Sequence, residues 1–90
     1  MEIPNGKVLI DFWSPSCGPC MMLMNTINEL DSEYSDLTVI KLNVMDNLED
    51  AQDLGVTSLP TLVFFNNGEE RERLAGFQVK SAIIDAIERL

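Results

Sequence analysis

Apolar positions along this chain follow two rhythms. Val8-Leu9-Ile10 and Phe12-Trp13 form a nearly unbroken run with one polar interruption, Asp11, which suits a central strand covered on both faces over Lys7 to Trp13. Pro15, Gly18 and Pro19 break the run. Leu23, Ile27, Leu30 and Tyr34 then recur at helical spacing, one stripe of a helix of about four turns that Ser35-Asp36 ends. Leu37 to Val44 is a second β-rich stretch. Asp46, with Glu49 three residues on, has the form of a capped helix start, and Leu48, Ala51 and Leu54 give a short amphipathic helix closed by Gly55.

Thr61 to Phe65 predicts a third strand, and Asn66-Asn67-Gly68 a tight hairpin turn. Arg71 to Ala75 returns as a charged edge strand. Val79, Ala82, Ile83, Ala86, Ile87 and Leu90 make the apolar face of a terminal helix. The order is βαβαββα. Helical crossovers between the first three strands imply that these run parallel, with one antiparallel hairpin at the end.

A length of 90 residues suits one domain over residues 1–90, and 46% hydrophobic with 23% charged residues is a globular balance. The apolar runs are strand-sized, far short of the roughly 20 residues a membrane span needs. Six basic against fifteen acidic residues give a net charge of −9, and there is no histidine. Nucleic acid and an anionic membrane surface are therefore disfavoured as partners. Imidazole-based hydrolysis and imidazole metal ligation are excluded outright. Met1 to Gly6 lacks the basic and apolar regions of a signal peptide, and two cysteines are few for a small secreted domain, so a reducing cytoplasm is the expected compartment.

Those two cysteines carry the chemistry. Cys17-Gly18-Pro19-Cys20 follows a buried strand and opens a helix. Unpaired N–H groups and the partial positive charge at a helix start favour thiolate over thiol, so the Cys17 pKa should be depressed. One helical turn brings Cys20 alongside, so an attack by Cys17 on a disulfide can be resolved within the chain. Gly18 lets a partner backbone approach closely and Pro19 fixes the first turn. Blander readings are weaker. A purely structural disulfide closing so short a loop contributes only about 2 kcal/mol. Two cysteines without histidine supply half of a zinc site, and inert core cysteines fit poorly with the breakers around them.

At this point the sequence resembles the thioredoxin family. Asp11-Phe12-Trp13 with Cys17-Gly18-Pro19-Cys20 is similar to the family's active-site strand and helix. Lys41-Leu42-Asn43 is similar to its second-strand motif and Leu59-Pro60-Thr61 to its cis-proline loop. Asn67-Gly68 and Gly76 fall where its hairpin turn and late glycine lie. The likeness runs from about Lys7 to Leu90. It implies an α/β thioredoxin-like fold with a four-stranded mixed sheet flanked by helices, without the usual N-terminal strand and helix. It also implies a protein-disulfide reductase that needs no bound cofactor and acts as a monomer.

Within that resemblance Cys17 is the nucleophile and Cys20 the resolving thiol. Asp11 is a buried acid that moves protons to and from Cys20, with Lys41 on the neighbouring strand as its partner. An unpaired carboxylate buried among apolar neighbours costs several kcal/mol, so Asp11 requires a reason to exist. Trp13, Gly18, Pro19, Leu59, Pro60, Gly76 and Phe77 would frame an apolar groove for disulfide-containing substrate proteins. A flavin-dependent reductase in trans would regenerate the dithiol.

Three positions depart from the family pattern. Ser16 stands where a Trp commonly precedes the first cysteine, Met21 where a basic residue follows the second, and Asn25 near a customary mid-helix proline. Without that cation the Cys17 pKa should be less depressed, and Met21, Met22 and Met24 offer an adaptable apolar surface. Two alternative functions follow from the same residues: a glutaredoxin-like enzyme recycled by glutathione, and a docking module without catalysis. Gly18-Pro19, Ser58-Leu59 and the scarcity of cations speak against the first.

Overall fold

A computed structural model describes residues 1–90. The elements are β1 (Lys7–Trp13), α1 (Gly18–Glu33), β2 (Leu37–Asn43), α2 (Leu48–Asp53), β3 (Thr61–Asn66), β4 (Glu69–Ala75) and α3 (Lys80–Glu88). They follow the expected βαβαββα order. The strands form one mixed sheet in the order β2-β1-β3-β4, with β1 inside it.

β1 carries the centre of the molecule because both its faces are apolar. Leu9 faces a core built with Leu23, Ile27 and Leu30 of α1 and Ile83 and Ile87 of α3. Val8, Ile10 and Phe12 face a second core with Val63, Phe65 and Ala51 of α2. Alternation along the strand puts Asp11 on the Leu9 side, under α1. That helix buries Cys20, Leu23, Ile27 and Leu30 as one continuous stripe. Cys20 is therefore the first member of a core-facing row.

The direction of β3 corrects the expectation of three parallel strands. β1 and β2 are parallel, but β3 runs antiparallel to β1, with Phe12 opposite Thr61 and Lys7 opposite Asn66. α2 is short: six residues of helix span about 9 Å, while a seven-residue strand spans about 23 Å. The helix does not carry the chain back down the sheet, and β3 starts at the end where β2 stopped. This reversal brings the segment before Thr61 to the sheet end that bears the cysteines.

Two smaller expectations also change. α2 is not capped by an Asp46/Glu49 box: Asn47 is the N-cap, without a side-chain cap bond, and its amide donates to Asn43 O at 2.9 Å. Val79 precedes α3 as its N-cap and is 61% exposed, outside the apolar face. The hairpin forms as expected. Asn67 and Gly68 both have positive φ (52° and 81°), the pairing that a two-residue turn matched to strand twist requires. Asn67 Oδ1 also accepts the Gly6 N–H at 2.9 Å. No helix is long and apolar enough to cross a membrane.

Candidate active site

The C-terminal end of β1 delivers the chain into a tight turn. Ser14 is buried, and its carbonyl accepts the Cys17 N–H at 3.1 Å. Its hydroxyl lies 3.1 Å from that of Ser16. Cys17 is the N-cap of α1 in extended backbone conformation, and its Sγ accepts the Cys20 N–H at 3.1 Å. A sulfur in that position faces the positive end of a 16-residue helix, which favours negative charge on it. The two cysteines are joined as a disulfide with Cα atoms 5.2 Å apart.

The pair is asymmetric. Cys17 is half-exposed between exposed Ser16 and Gly18, whereas Cys20 is fully buried against the sheet. Only Cys17 can meet an incoming disulfide. Cys20 can react only with a sulfur already delivered to its neighbour. Any proton leaving Cys20 must pass through the protein interior.

Asp11 lies in that interior on the face covered by α1. Both of its oxygens are buried without a hydrogen-bond partner. Burial drives its pKa up from 3.8 to about 6, and the positive charge of Lys41 pulls it only partly back. Lys41 sits opposite Asp11 in the β1–β2 register, but it is exposed and makes no direct ion pair with it. Its ammonium donates instead to Asn28 Oδ1 on α1, at 2.6 Å. Lys41 acts on Asp11 through space. Asn28, absent from the sequence reading, holds it in place. No sequence motif marks Asn28; only the packing of α1 over the β2 edge shows that a lysine there needs an acceptor.

The other side of the site comes from the start of β3 and the end of β4. The Leu59–Pro60 peptide is cis. Pro60 is buried, and its carbonyl accepts the Gly76 N–H at 2.8 Å, so this loop and the β4 end form one surface. Gly76 has φ of 86°, a conformation that suits glycine. Phe77 next to it is 48% exposed. Thr61 closes the loop through its hydroxyl, which donates to Ser58 O at 2.7 Å, a role its place in the Leu-Pro-Thr motif did not signal. Leu59 is half-buried, and its own N–H and C=O make no bond within the chain.

The structure thus gathers Cys17, Cys20, Gly18, Pro19, Leu59, Pro60, Gly76 and Phe77 at one end of the sheet, with Asp11 beneath and Lys41 to the side. Trp13 ends β1 at the same level, half-buried, its Nε1 enclosed without a partner. No group of three Cys, Asp or Glu side chains is placed to hold a metal ion. Met21 and Met22 are exposed beside the cysteines, and Met24 is half-buried.

Comparison with known proteins agrees with this geometry. The thioredoxin family model matches residues 1–89. The thioredoxin of Bacillus subtilis (strain 168) is 42% identical over 89 residues, which span 98% of this chain and 86% of that protein. The solved structure of oxidised mitochondrial thioredoxin 3 from Saccharomyces cerevisiae has a TM-score of 0.89 at 30% identity, covering 96% of this chain and 80% of that one. A mutant thioredoxin from Halobacterium salinarum NRC-1 has a TM-score of 0.88 at 41% identity, covering 94% and 74%. With the cysteine pair at the start of α1 and this likeness along nearly its whole length, the chain belongs to the thioredoxin family and performs thiol–disulfide exchange on disulfide substrates.

Proposed function

We propose that the chain reduces protein disulfides with the following division of labour. The Cys17 thiolate attacks a substrate disulfide. A mixed disulfide forms and one substrate sulfur departs as thiolate. Cys20 then gives its proton to ionised Asp11, through water, and attacks the Cys17 sulfur. The Cys17–Cys20 bond forms, the mixed disulfide breaks, and the second substrate thiolate leaves. Two electrons pass from the protein dithiol to the substrate.

The observation that carries this reading is the unequal burial of two sulfurs at one helix start, with an unpartnered carboxyl behind the hidden one. A structural disulfide would have no use for Asp11. Lys41, held by Asn28, keeps enough positive potential nearby for Asp11 to ionise at neutral pH. Leu59 offers its free N–H and C=O to an extended substrate backbone beside Pro60, in the manner of a single added strand. Gly18, Pro19, Gly76 and Phe77 border that strand, and Trp13 beneath them reports the redox state through its fluorescence. A flavin-dependent reductase in trans returns the electrons, in a reducing cytoplasm. Thioredoxins among the relatives favour this reading over glutathione recycling or docking without catalysis.

The test is reduction of a disulfide protein such as insulin with dithiothreitol as donor. Cys17→Ser should abolish turnover. Cys20→Ser should stop after one event with substrate covalently held at Cys17, visible by mass spectrometry. Trapping through Cys20 in a Cys17→Ser variant would reverse the assignment of the two sulfurs.

A further inference from the structure

The turn that leads into Cys17 carries two hydroxyls that the exchange described above does not use. The Cys17 N–H closes this turn on Ser14 O at 3.1 Å, and Pro15 at its second position fixes the backbone there. Ser14 is buried, Ser16 is exposed, and their hydroxyl oxygens lie 3.1 Å apart. Burial gives this contact a direction. The Ser14 hydroxyl makes no hydrogen bond except with Ser16 Oγ, and a buried O–H without an acceptor is costly. Ser14 is therefore the donor. Ser16 accepts that bond and keeps its own proton free on the solvent side, next to half-exposed Cys17. A hydroxyl that accepts one hydrogen bond becomes a better donor of the next.

The chemistry has a use for such a donor. When the Cys17 thiolate attacks, negative charge passes to the substrate sulfur that departs. The helix start does little for that sulfur. Pro19 has no N–H, the Cys20 N–H is directed at Cys17 Sγ, and the Met21 N–H at Cys17 O, so the first turn has only the Gly18 N–H to offer. No cation compensates. Residues 12–28, 54–68 and 74–79, the stretches that hold the cysteines, the cis-proline loop and the end of β4, contain no charged side chain. The one ionisable neighbour beneath Cys20 is Asp11, whose charge is of the wrong sign.

We propose that Ser16 is a catalytic residue of the first exchange: its O–H donates a hydrogen bond to the sulfur leaving the substrate, and Ser14 is the positioning residue that aims it. In this step the bond between Cys17 Sγ and one substrate sulfur forms, and the substrate S–S bond breaks. The bonding pair stays on the departing sulfur, which Ser16 stabilises without giving up its proton. The inference rests on the disulfide-reductase reading and adds a group to its first step. The benefit is greatest for alkyl disulfides such as those of proteins, because a weakly acidic leaving thiol concentrates its charge on sulfur.

The test isolates that step in a Cys20→Ser background, where quenched flow and mass spectrometry follow the mixed disulfide at Cys17. Two reagents differ in leaving group. Hydroxyethyl disulfide expels a weakly acidic alkyl thiol, and dithiobis(nitrobenzoic acid) a delocalised aromatic thiolate. Ser16→Ala should slow the alkyl reagent about tenfold and the aromatic one by less than about twofold. Ser16→Thr keeps the hydroxyl and should stay within about twofold of its parent with both. Ser14→Ala should slow the alkyl reagent about threefold, and should add nothing once Ser16 is alanine, because it acts through Ser16.

Equal losses with the two reagents would overturn the assignment, since Ser16 would then act on the Cys17 nucleophile and not on the leaving group. Unchanged rates in Ser16→Ala would overturn it as well, as would a Ser14→Ala loss that adds in full to that of Ser16→Ala. Failure of the reductase reading looks different: no mixed disulfide at Cys17 with either reagent while Ser14 and Ser16 are intact, which would remove that reading and the role of Ser16 together.

Discussion

Asp11 shows how one residue can trade stability for chemistry. Its carboxyl lies in the apolar core without a hydrogen bond, and the fold raises its pKa from 3.8 to about 6. The folded state therefore prefers the protonated acid. Below about pH 4 the group is neutral in both states and imposes no ionisation cost. Between pH 4 and 6 the unfolded chain ionises first and stability falls; above pH 6 the loss is complete. At about 1.36 kcal/mol per pH unit it amounts to about 3 kcal/mol, a large share of a small domain's stability. Asp11→Asn should match the unsubstituted protein near pH 4 and exceed it by up to about 3 kcal/mol at pH 7.5, as read from urea unfolding of the oxidised forms. If the two curves kept a constant gap, Asp11 would not titrate with folding.

The same residue sets a kinetic expectation. Only ionised Asp11 can accept the Cys20 proton, so release of substrate from the mixed disulfide should slow as pH falls below about 6. In Asp11→Asn that step should be slower by on the order of 10²-fold at pH 7 and should lose this inflection. Quenched-flow measurement of mixed-disulfide lifetime separates this from any change in the first attack. A variant more stable yet slower is the combined result expected. An inert buried acid would give the first effect without the second.

Among the elements, α1 and α2 differ in what holds them. α1 buries four side chains against the sheet, carries its own N-cap sulfur and runs for 16 residues. α2 has six residues, one buried side chain, Ala51, and no side-chain cap. Short helices without caps form only where tertiary packing holds them. Amide hydrogen exchange should therefore find α2 opening with a free energy several kcal/mol below that of the α1 and β1 amides. Equal protection in both helices would mean that α2 unfolds only with the whole domain.

The same contrast explains what could be read in advance. α1 was legible in the stripe Leu23, Ile27 and Leu30, and β1 in its continuous apolar run. The cysteine motif announced its place between them. The direction of β3 was not legible, because local pattern carries no information about which end of the sheet a strand starts from. It depends on where the Val44–Pro60 connection, with its short α2, returns the chain to the sheet. Lys41 was named as the partner of Asp11 through the resemblance alone, and its tie to Asn28 is a contact across 13 positions that no local rule encodes. Gly76 was read as a landmark, while its bond to Pro60 O follows from the β3–β4 register alone.

Over the whole molecule the charges compete. Most cations are committed: Lys7 to Asp36, Arg73 to Glu70, Lys80 to Glu29 and Glu33, and Arg89 to Glu72. These pairs lie at the surface, where each contributes little. Fifteen acidic residues against six basic ones leave −9 on a body with a radius of gyration of 11.9 Å. Self-repulsion in the folded state grows with the square of that excess and relaxes when the chain expands. Added salt screens both terms, but the repulsion is long-ranged and spread over the whole body, so it is the larger loss. Raising NaCl from about 0.02 to 0.5 M shortens the screening length from roughly 20 Å to 4 Å, below the size of the molecule. Thermal unfolding should then move upward, by roughly 5 °C for a gain near 1 kcal/mol in a domain of this length. KCl should act like NaCl if screening is the cause. A fall in Tm would mean that the surface pairs outweigh the net charge, and would move attention to the Arg89–Glu72 contact that ties the end of α3 to β4.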